Sequence, residues 1–253
     1  MSPSPRLIAF DLDDTLAPSK SPLDPRMADL LAQLLDRVEV CVISGGQFAQ
    51  FKMQVIDTLP EIPDAALAKL HLMPTCGTQY FRFESEWIQV YAQNLTKDEK
   101  DRALSAVEVT ARELGYWEPD TWGPILEDRG SQITFSALGQ AAPVASKVAW
   151  DPTGEKKNRL RESVQALLPD LEVRSGGSTS IDITRQGIDK AYGMTRLSEL
   201  TGISLDEMLF IGDRLDPDGN DYPVKVLGVP THAVDSWSAT ADFLTEWMKR
   251  PNG

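Results

Sequence analysis

Short apolar runs alternate along the chain with segments of helical periodicity. Residues 7–10 and 40–43 are apolar and are followed at once by polar residues, which is typical of buried strands that end at a polar edge. Between them, leucines and alanines recur at helical spacing over residues 25–38, and residues 48–59 indicate a further helix. The order strand, helix, strand, helix predicts parallel pairing in an α/β sheet.

The pattern changes between residues 80 and 186. Aromatic alternation over residues 80–83 predicts exposed antiparallel strands. Thr96 and Glu99 match a capping box that opens a helix running to Leu114. The other elements predicted in this region are strands and one long helix, namely strands at residues 133–138, 171–174 and 180–184 and a helix at residues 153–168.

After Gly187 the buried pattern returns, and it predicts a helix at residues 190–200, strands at 208–211 and 225–229, and a final helix from Ser238. The fold class is therefore α/β. We predict a doubly wound, parallel-sheet, Rossmann-like core built from residues 1–79 and 187–253. A mixed α+β domain, residues 80–186, is inserted into it.

The composition is that of a globular protein with a strongly acidic surface. The 253 residues are 42% hydrophobic and 25% charged, and 25 Lys and Arg face 38 Asp and Glu, a net charge of −13. Such a surface repels polyanions, so we expect neither nucleic acid nor an anionic membrane as a partner. A phosphorylated partner would be small and held by local cations or a metal.

Cysteine content and hydropathy indicate the compartment. Two cysteines, Cys41 and Cys76, lie in apolar stretches and cannot form a disulfide framework, so we expect reduced thiols. No apolar run approaches the roughly 20 residues that a membrane span needs. Residues 1–6 lack the apolar core of a signal peptide. These features predict a cytoplasmic protein.

The strongest chemical signal is the group of three acids that follows the first predicted strand. Asp11 and Asp13 are two residues apart, so in extended backbone they address one site, and Asp14 follows. Open α/β sheets bind ligands at this edge. Like charges so close need a cation or a retained proton, and Mg²⁺ with oxygen ligands meets that need. The alternative is a solvated acidic turn that caps the next segment.

Three further segments carry candidate chemistry. Ser44-Gly45-Gly46 follows the second strand and could hold an anion through a hydroxyl and backbone N–H groups, although such turns are common. Lys190 opens a predicted helix, where a cation opposes the helix dipole, although a surface lysine is the ordinary explanation. Gly212-Asp213 ends another strand and leads to Asn220-Asp221; a calcium loop is the alternative, but EF-hand spacing is absent.

Taken together, these segments resemble the haloacid dehalogenase superfamily of phosphotransferases, and the insert resembles its type IIB cap. The motifs are DxDxT at Asp11, the serine after strand two, the late lysine, and Gly-Asp with a distal Asn-Asp. Over nearly the full length the chain is similar to the eukaryotic-type phosphomannomutases. That closer similarity rests on the spacing from Gly212 to Asp221, on Ile188-Asp189-Lys190 and on residues 176–182.

The resemblance implies a role for each motif residue. Asp11 would be the nucleophile that forms an aspartyl-phosphate, and Asp13 would be the general acid and base. The Asp11 carboxylate, the Asp13 main-chain carbonyl and Asp213 would ligate Mg²⁺, the implied cofactor. The residues that would hold the phosphoryl group are Ser44, Gly45, Gly46 and Lys190. Asn220 and Asp221 would support the metal side of the site.

The resemblance also implies sugar-phosphate contacts, and here the chain departs from the family. The implied substrate-binding residues are Lys20 in the core and, in the cap, Arg129, Gln140, Lys147, Ser180 and Asp182. Lys20 and Lys147 replace arginines, and Gln140 replaces another. Phe51 stands where a lysine is expected, beside Lys52. Leu227 and Pro230 replace oxygen ligands of a second cation, so we expect no second metal there. Asp14 replaces a glycine but is common in superfamily phosphatases.

We therefore expect a Mg²⁺-dependent phosphatase that acts on a phosphorylated sugar or similar small metabolite. The alternative is a phosphomannomutase that uses the same Asp11 in both halves of its cycle. Lysine and glutamine cannot form the bidentate hydrogen bonds that arginine makes with a phosphate. Their presence at these positions favours hydrolysis over isomerisation. A non-catalytic phospho-Asp switch is a third possibility, although receiver domains of that kind are about half this length. A homodimer formed through the cap is a further expectation.

Overall fold

The computed structural model describes residues 4–249. The expectation about the first six residues therefore lies partly outside the described residues. The chain divides into two compact units: a core unit of Met1–Ala92 and Asp189–Gly253, and an inserted unit of Gln93–Ile188. Among the described residues, no helix combines the length and the hydropathy that crossing a bilayer requires.

The core unit is built on a seven-stranded sheet, and numbering the strands along the whole chain gives the order β11-β10-β1-β2-β3-β4-β5. The five strands from β11 to β3 pair in parallel, whereas the β3–β4 and β4–β5 pairs are antiparallel. The strand bounds are β1 Leu7–Phe10, β2 Glu39–Ile43, β3 Leu70–Met73, β4 Gln79–Phe83, β5 Trp87–Ala92, β10 Met208–Gly212 and β11 Thr231–Ala233.

Helices cover both faces of this sheet. Their bounds, numbered likewise, are α1 Pro25–Leu35, α2 Phe48–Gln54, α3 Asp64–Leu67, α7 Lys190–Thr201, α8 Tyr222–Val226 and α9 Trp237–Met248, with 3₁₀ turns at Ile56–Thr58, Thr75–Gly77 and Leu205–Glu207. Alternate strand residues enter two apolar clusters. Ile8 and Phe10 pack with α1, α2 and α9, and Leu7 and Ala9 pack with α7 and α8. The predicted doubly wound arrangement is confirmed.

The inserted unit is an antiparallel sheet with helices. Its strands, in the order β6-β7-β9-β8, are β6 Leu126–Asp128, β7 Ile133–Ser136, β8 Leu171–Ser175 and β9 Ser180–Arg185. Its helices are α4 Lys97–Glu113, α5 Val144–Trp150 and α6 Glu155–Leu167. The capping box of α4 is present, since Glu99 N–H donates to Thr96 Oγ1 and Thr96 N–H donates to the Glu99 carboxylate. Ile133, Phe135 and Ile181 share the apolar face.

The boundary predicted at residues 79 and 80 differs from the structure, because β4 and β5 belong to the core sheet. β4 pairs with β3, and Phe81 lies opposite Leu72. Tyr80 and Phe81 are buried rather than exposed, and Phe81 stacks on Phe48 at 3.8 Å between ring centroids. Aromatic alternation marked these strands correctly, but it could not show which sheet they would join. The insert begins at Gln93 and ends at Ile188.

Other differences arise where apolar residues do not signal a strand. Residues 225–229, predicted as a strand, include the end of helix α8, which starts directly after Asp221 with Pro223 in its first turn. Val226 there is 68% exposed, so its hydrophobicity does not reflect burial. Strand β3 was not predicted either, because His71 interrupts its apolar run. Strand β6 and helices α3 and α5 are too short to show a clear periodicity of apolar residues.

Candidate active site

Three loops of the core unit meet at the carboxyl edge of its sheet. Central strand β1 pairs with β2 and with β10, so that Phe10 lies opposite both Val42 and Ile211. The pairing continues past the strand, because Asp11 N–H donates to the Ile211 carbonyl at 3.0 Å. The residues that follow these three strands are therefore brought to one edge, as the sequence predicted.

Asp11, Asp213 and Asp221 form an acidic cluster at this edge. Each offers one carboxylate oxygen, and these oxygens lie within 4.8 Å of one another. Asp11 and Asp221 are buried and Asp213 is half-buried. Thr15 Oγ1 donates to Asp213 Oδ1 at 3.3 Å, and Arg214 N–H donates to Asp221 Oδ2 at 3.1 Å. Asp221, predicted only to support the site, is thus a full member of the cluster, whereas neighbouring Asn220 is exposed.

Lys190 joins two of the three carboxylates. Its Nζ lies 2.5 Å from Asp11 Oδ1 and 2.5 Å from Asp221 Oδ1, and its side chain is fully buried. Lys190 is the first residue of α7, whose N-cap Asp189 accepts from Tyr192 N–H. A buried lysine at a helix N-terminus is unfavourable by itself, so the two carboxylates account for its placement.

The electrostatics leave the cluster short of positive charge. Burial, together with Asp221 and Asp213, raises the pKa of Asp11, against the opposing effect of Lys190. Burial and Asp221 likewise raise the pKa of Asp213. Burial lowers the pKa of Lys190, but Asp11 and Asp221 outweigh it, so this pKa is raised and the ammonium stays charged. When all three carboxylates are ionised, they and the ammonium carry two net negative charges. Oxygen donors with that charge fit one hard divalent cation such as Mg²⁺.

Gly212 leaves the space that Asp221 occupies. A Cβ on Gly212 would lie 2.3 Å from Asp221 Oδ2 and 2.7 Å from Phe210 Cε1. We expect Gly212→Ala to lower the free energy of unfolding by about 1–3 kcal/mol, because overpacking displaces a buried, salt-bridged carboxylate. Urea denaturation measures the change. Gly177→Ala is the matched control, since no atom lies within 4 Å of its added Cβ; equal effects of the two substitutions would contradict this account of Gly212.

The Asp13 carboxylate lies apart from the cluster and is held by amides. Oδ1 accepts from Lys20 N–H at 2.6 Å and from Gln54 Nε2 at 3.3 Å, and Oδ2 accepts from Gln50 Nε2 at 3.0 Å. The predicted metal contact through the Asp13 main-chain carbonyl stays a prediction. Sequence reasoning missed both glutamines. Their signal is the four-residue spacing on α2, which places them on one face of the helix directly after the glycine loop.

The Ser44-Gly45-Gly46 loop follows β2. Ser44 is buried, its Oγ accepts from Gly46 N–H at 3.2 Å, and its carbonyl accepts from Cys76 N–H at 3.0 Å. A Cβ on Gly46 would lie 2.4 Å from Gln50 Oε1. The Gln50 carboxamide is therefore packed against Gly46, and phosphoryl binding by Gly45 and Gly46 stays a prediction.

The core positions that depart from the family pattern differ in exposure. Lys20 is exposed, has a φ of 55° and uses its backbone N–H to hold Asp13. Phe51 is fully buried in the apolar cluster, so it cannot stand in for a cation. The adjacent Lys52 forms an exposed ion pair with Asp57 at 2.5 Å.

The predicted substrate contacts of the inserted unit lie on the polar side of its sheet. Asp182 on β9 pairs with Thr134 on β7, which in turn lies opposite Glu127 on β6. Thr134 Oγ1 donates to Asp182 Oδ1 at 2.7 Å. Arg129 donates to Glu127 Oε2 from Nε at 3.1 Å and from Nη2 at 2.6 Å. The guanidinium of Arg129 is therefore already paired with a carboxylate.

The other three predicted contacts form a second chain of hydrogen bonds in the inserted unit. Ser180 Oγ lies 2.8 Å from Ser136 Oγ on the neighbouring strand. Gln140 Nε2 donates to the same Ser136 Oγ at 2.5 Å, and Lys147 Nζ donates to the main-chain carbonyl of Gln140 at 3.1 Å. The side chains of Gln140 and Ser180 therefore meet at Ser136, a residue that sequence reasoning did not single out, and Lys147 contacts the backbone of Gln140.

The chain is similar in sequence to known proteins of two kinds. A family model described as haloacid dehalogenase-like hydrolase matches residues 138–223. Human phosphomannomutase 1 is 26% identical over 86% of this chain and 82% of its own length. The Saccharomyces cerevisiae phosphomannomutase is 26% identical over 95% of this chain and 93% of its own length.

Solved structures share the fold. An IMP-bound, N-terminally truncated IMP-nucleotidase of Plasmodium falciparum superimposes with a TM-score of 0.73 at 16% identity, over 98% of this chain and 69% of that chain. A haloacid dehalogenase-like hydrolase of Bacteroides thetaiotaomicron gives 0.61 at 16% identity, over 96% of this chain and all of that chain. The predicted resemblance to the haloacid dehalogenase superfamily and to the phosphomannomutases is confirmed.

Proposed function

We propose that this haloacid dehalogenase-like phosphohydrolase or phosphotransferase is a Mg²⁺-dependent phosphatase of a phosphorylated sugar or similar small metabolite. The observation that carries the proposal is the buried contact of Lys190 with Asp11 and Asp221 beside Asp213. This contact supports the proposal because a carboxylate suited to attack phosphorus, a fixed positive charge and oxygens suited to a cation lie together at one sheet edge. Phosphoryl transfer depends mainly on such positioning and charge neutralisation.

Asp11 attacks the phosphorus atom of the substrate in the first step. A bond forms between an Asp11 carboxylate oxygen and phosphorus, and the bond from phosphorus to the leaving oxygen breaks. Lys190 favours the ionised form of Asp11 and orients it through the 2.5 Å contact. Asp13 gives its proton to the leaving oxygen, so the alcohol departs neutral.

Water attacks the aspartyl-phosphate in the second step. Asp13, now a carboxylate, takes the proton of the attacking water, the Asp11–phosphorus bond breaks, and inorganic phosphate and free Asp11 result. Ser44 is proposed to hold the phosphoryl oxygens. Asp11, Asp213 and Asp221 would hold Mg²⁺, with the Asp13 carbonyl as a further ligand. When bound, the cation offsets the negative charge on the phosphoryl oxygens.

The inserted unit favours hydrolysis over isomerisation. A mutase grips a second phosphate through charged groups, best through bidentate arginines. Here Arg129 is paired with Glu127, and Gln140, at a position where the resemblance implies arginine, is a neutral donor to Ser136. We propose that Arg129, Gln140, Lys147, Ser180 and Asp182 bind the non-reacting part of the substrate, with hydroxyl groups as their main partners.

A phosphomannomutase is the second candidate. It is supported by the similarity to curated phosphomannomutases over most of both chains. The same residues serve both reactions, and the acceptor in the second step decides between them: water for a phosphatase, and a sugar hydroxyl for a mutase.

One paired assay separates the candidates. The protein with Mg²⁺ is given mannose 1-phosphate, and mannose 6-phosphate and inorganic phosphate are measured together, followed by phosphate release from a panel of sugar phosphates. We expect phosphate release from at least one sugar phosphate, abolished by EDTA and restored by Mg²⁺. Rapid isomerisation with little free phosphate would establish the mutase instead. A stable phosphoryl label with no turnover would indicate a phospho-Asp switch.

A further inference from the structure

We propose that Gln50 and Gln54 are positioning residues that orient the Asp13 carboxylate for proton transfer. The inference rests on the proposed function, because it takes Asp13 as the general acid and base. Neither glutamine belongs to the motifs that carry the family resemblance. Their amides and the Lys20 N–H donate to the two oxygens of Asp13 and so define the orientation of this carboxylate.

Gln54 is anchored through its side-chain Nε2 and its main-chain carbonyl. It is fully buried, and its Nε2 donates to the Ser21 carbonyl at 2.8 Å as well as to Asp13. Its own main-chain carbonyl accepts from Leu23 N–H at 3.0 Å. Gln54 therefore ties the end of α2 to the loop that follows Asp13, so that loop and carboxylate keep one geometry.

Gln50 reaches Asp13 from one turn earlier on α2. It is half-buried, and its carboxamide lies against Gly46, since a Cβ built there would be 2.4 Å from Gln50 Oε1. The intervening Phe51 is fully buried in the apolar cluster and fixes the rotation of the helix. The two glutamines, four residues apart, face the same carboxylate. Misplacement of a catalytic group by about 1 Å can cost a hundredfold in rate, which is the reason for such support.

The choice of substrate separates a positioning role from a merely structural one. An alkyl phosphate such as mannose 6-phosphate needs its leaving oxygen protonated, whereas p-nitrophenyl phosphate releases a stable anion without a proton. Because kcat/KM reports events up to departure of the leaving group, it isolates the acid role of Asp13. A positioning defect affects the alkyl substrate far more than the aryl one, and a general loss of structure affects both equally.

The test compares Gln50→Leu, Gln54→Met and the control Gln47→Leu, an exposed glutamine that makes no side-chain cap at the start of α2. We expect Gln50→Leu to lower kcat/KM for mannose 6-phosphate, or the best alkyl phosphate of the panel, about 10- to 100-fold and that for p-nitrophenyl phosphate less than about threefold. Gln54→Met should show the same selectivity, and Gln47→Leu should leave both values unchanged.

Equal losses with both substrates, or no loss in Gln50→Leu, would overturn the positioning role while leaving the phosphatase proposal intact, since the wild-type rates establish that activity. If the wild-type protein hydrolyses neither substrate, the proposed function fails and the inference fails with it. Because the Gln50 side chain is only half-buried, we expect the Gln50→Leu protein to fold. Circular dichroism checks this before the kinetic measurements.

Discussion

Asp11→Asn is expected to lower phosphate release by at least about 10,000-fold, because the amide cannot act as the nucleophile that accepts the phosphoryl group. Asparagine matches aspartate in size, so the backbone contact of residue 11 with Ile211 is retained. The substitution loses the ion pair of Asp11 with Lys190, but Lys190 keeps Asp221 as a partner. It also removes the cost of burying this carboxylate and its repulsion from Asp221 and Asp213. The loss should therefore be in kcat, without a loss of folded protein, as measured by steady-state kinetics and thermal unfolding.

Asp14→Asn is the matched control for this substitution. Asp14 is exposed, has a φ of 63° that asparagine tolerates, and accepts from Ser19 N–H at 3.1 Å. We expect its activity within about threefold of wild type, since its exposed carboxylate bonds the Ser19 backbone and is not part of the acidic cluster. Turnover of the Asp11→Asn protein within tenfold of wild type would rule out covalent catalysis by Asp11.

Lys190→Met should produce the largest combined loss of stability and activity. Removing one partner of a buried ion pair typically costs about 3–5 kcal/mol, because the remaining charges stay buried and unpaired. Here both Asp11 and Asp221 lose their cation. Activity should fall by about 1,000-fold, since a fixed charge beside the transferring phosphoryl group is lost. Mg²⁺ should restore more stability to the variant than to wild type, because it takes over part of the charge balance.

Urea denaturation with and without Mg²⁺ measures both effects. Lys52→Met is the control, because its ion pair with Asp57 is exposed and worth at most about 1 kcal/mol. If Lys190→Met and Lys52→Met destabilise the protein equally, or if Mg²⁺ stabilises wild type and the Lys190 variant by the same amount, the charge balance described for the cluster is wrong.

Strands β1, β2 and β10 of the core sheet were predictable from sequence because they are buried on both faces, whereas β11 is short and partly exposed. Leu7–Phe10 is uniformly apolar, and the polar residues directly after it mark the edge where ligands bind. The helix of Lys190 and the strand before Asp213 were equally clear. Strand β3 was not predicted, because His71 is a polar residue in the sequence. In the structure His71 is buried and hydrogen-bonded to Tyr80 and Glu39.

The support of the site was less predictable than its centre. Asp221 could be placed near the metal side by resemblance, but its burial beside Lys190 depends on the space that Gly212 leaves. Gln50 and Gln54 look like surface residues of a short helix, and only the fold brings them to Asp13. Their four-residue spacing shows that they share one face of the helix, but it does not show that this face meets Asp13.

The central claim, that Asp11 carries the phosphoryl group during turnover, has one direct test. The protein is mixed with Mg²⁺ and a hydrolysed sugar phosphate, quenched in acid within the first turnover, digested and mapped by mass spectrometry. We predict one phosphoryl group on the peptide that contains Asp11, absent from the Asp11→Asn protein. A phosphoryl group on Asp13 or Ser44 instead, or substrate consumed with no phosphorylated peptide at any time point, would contradict the account.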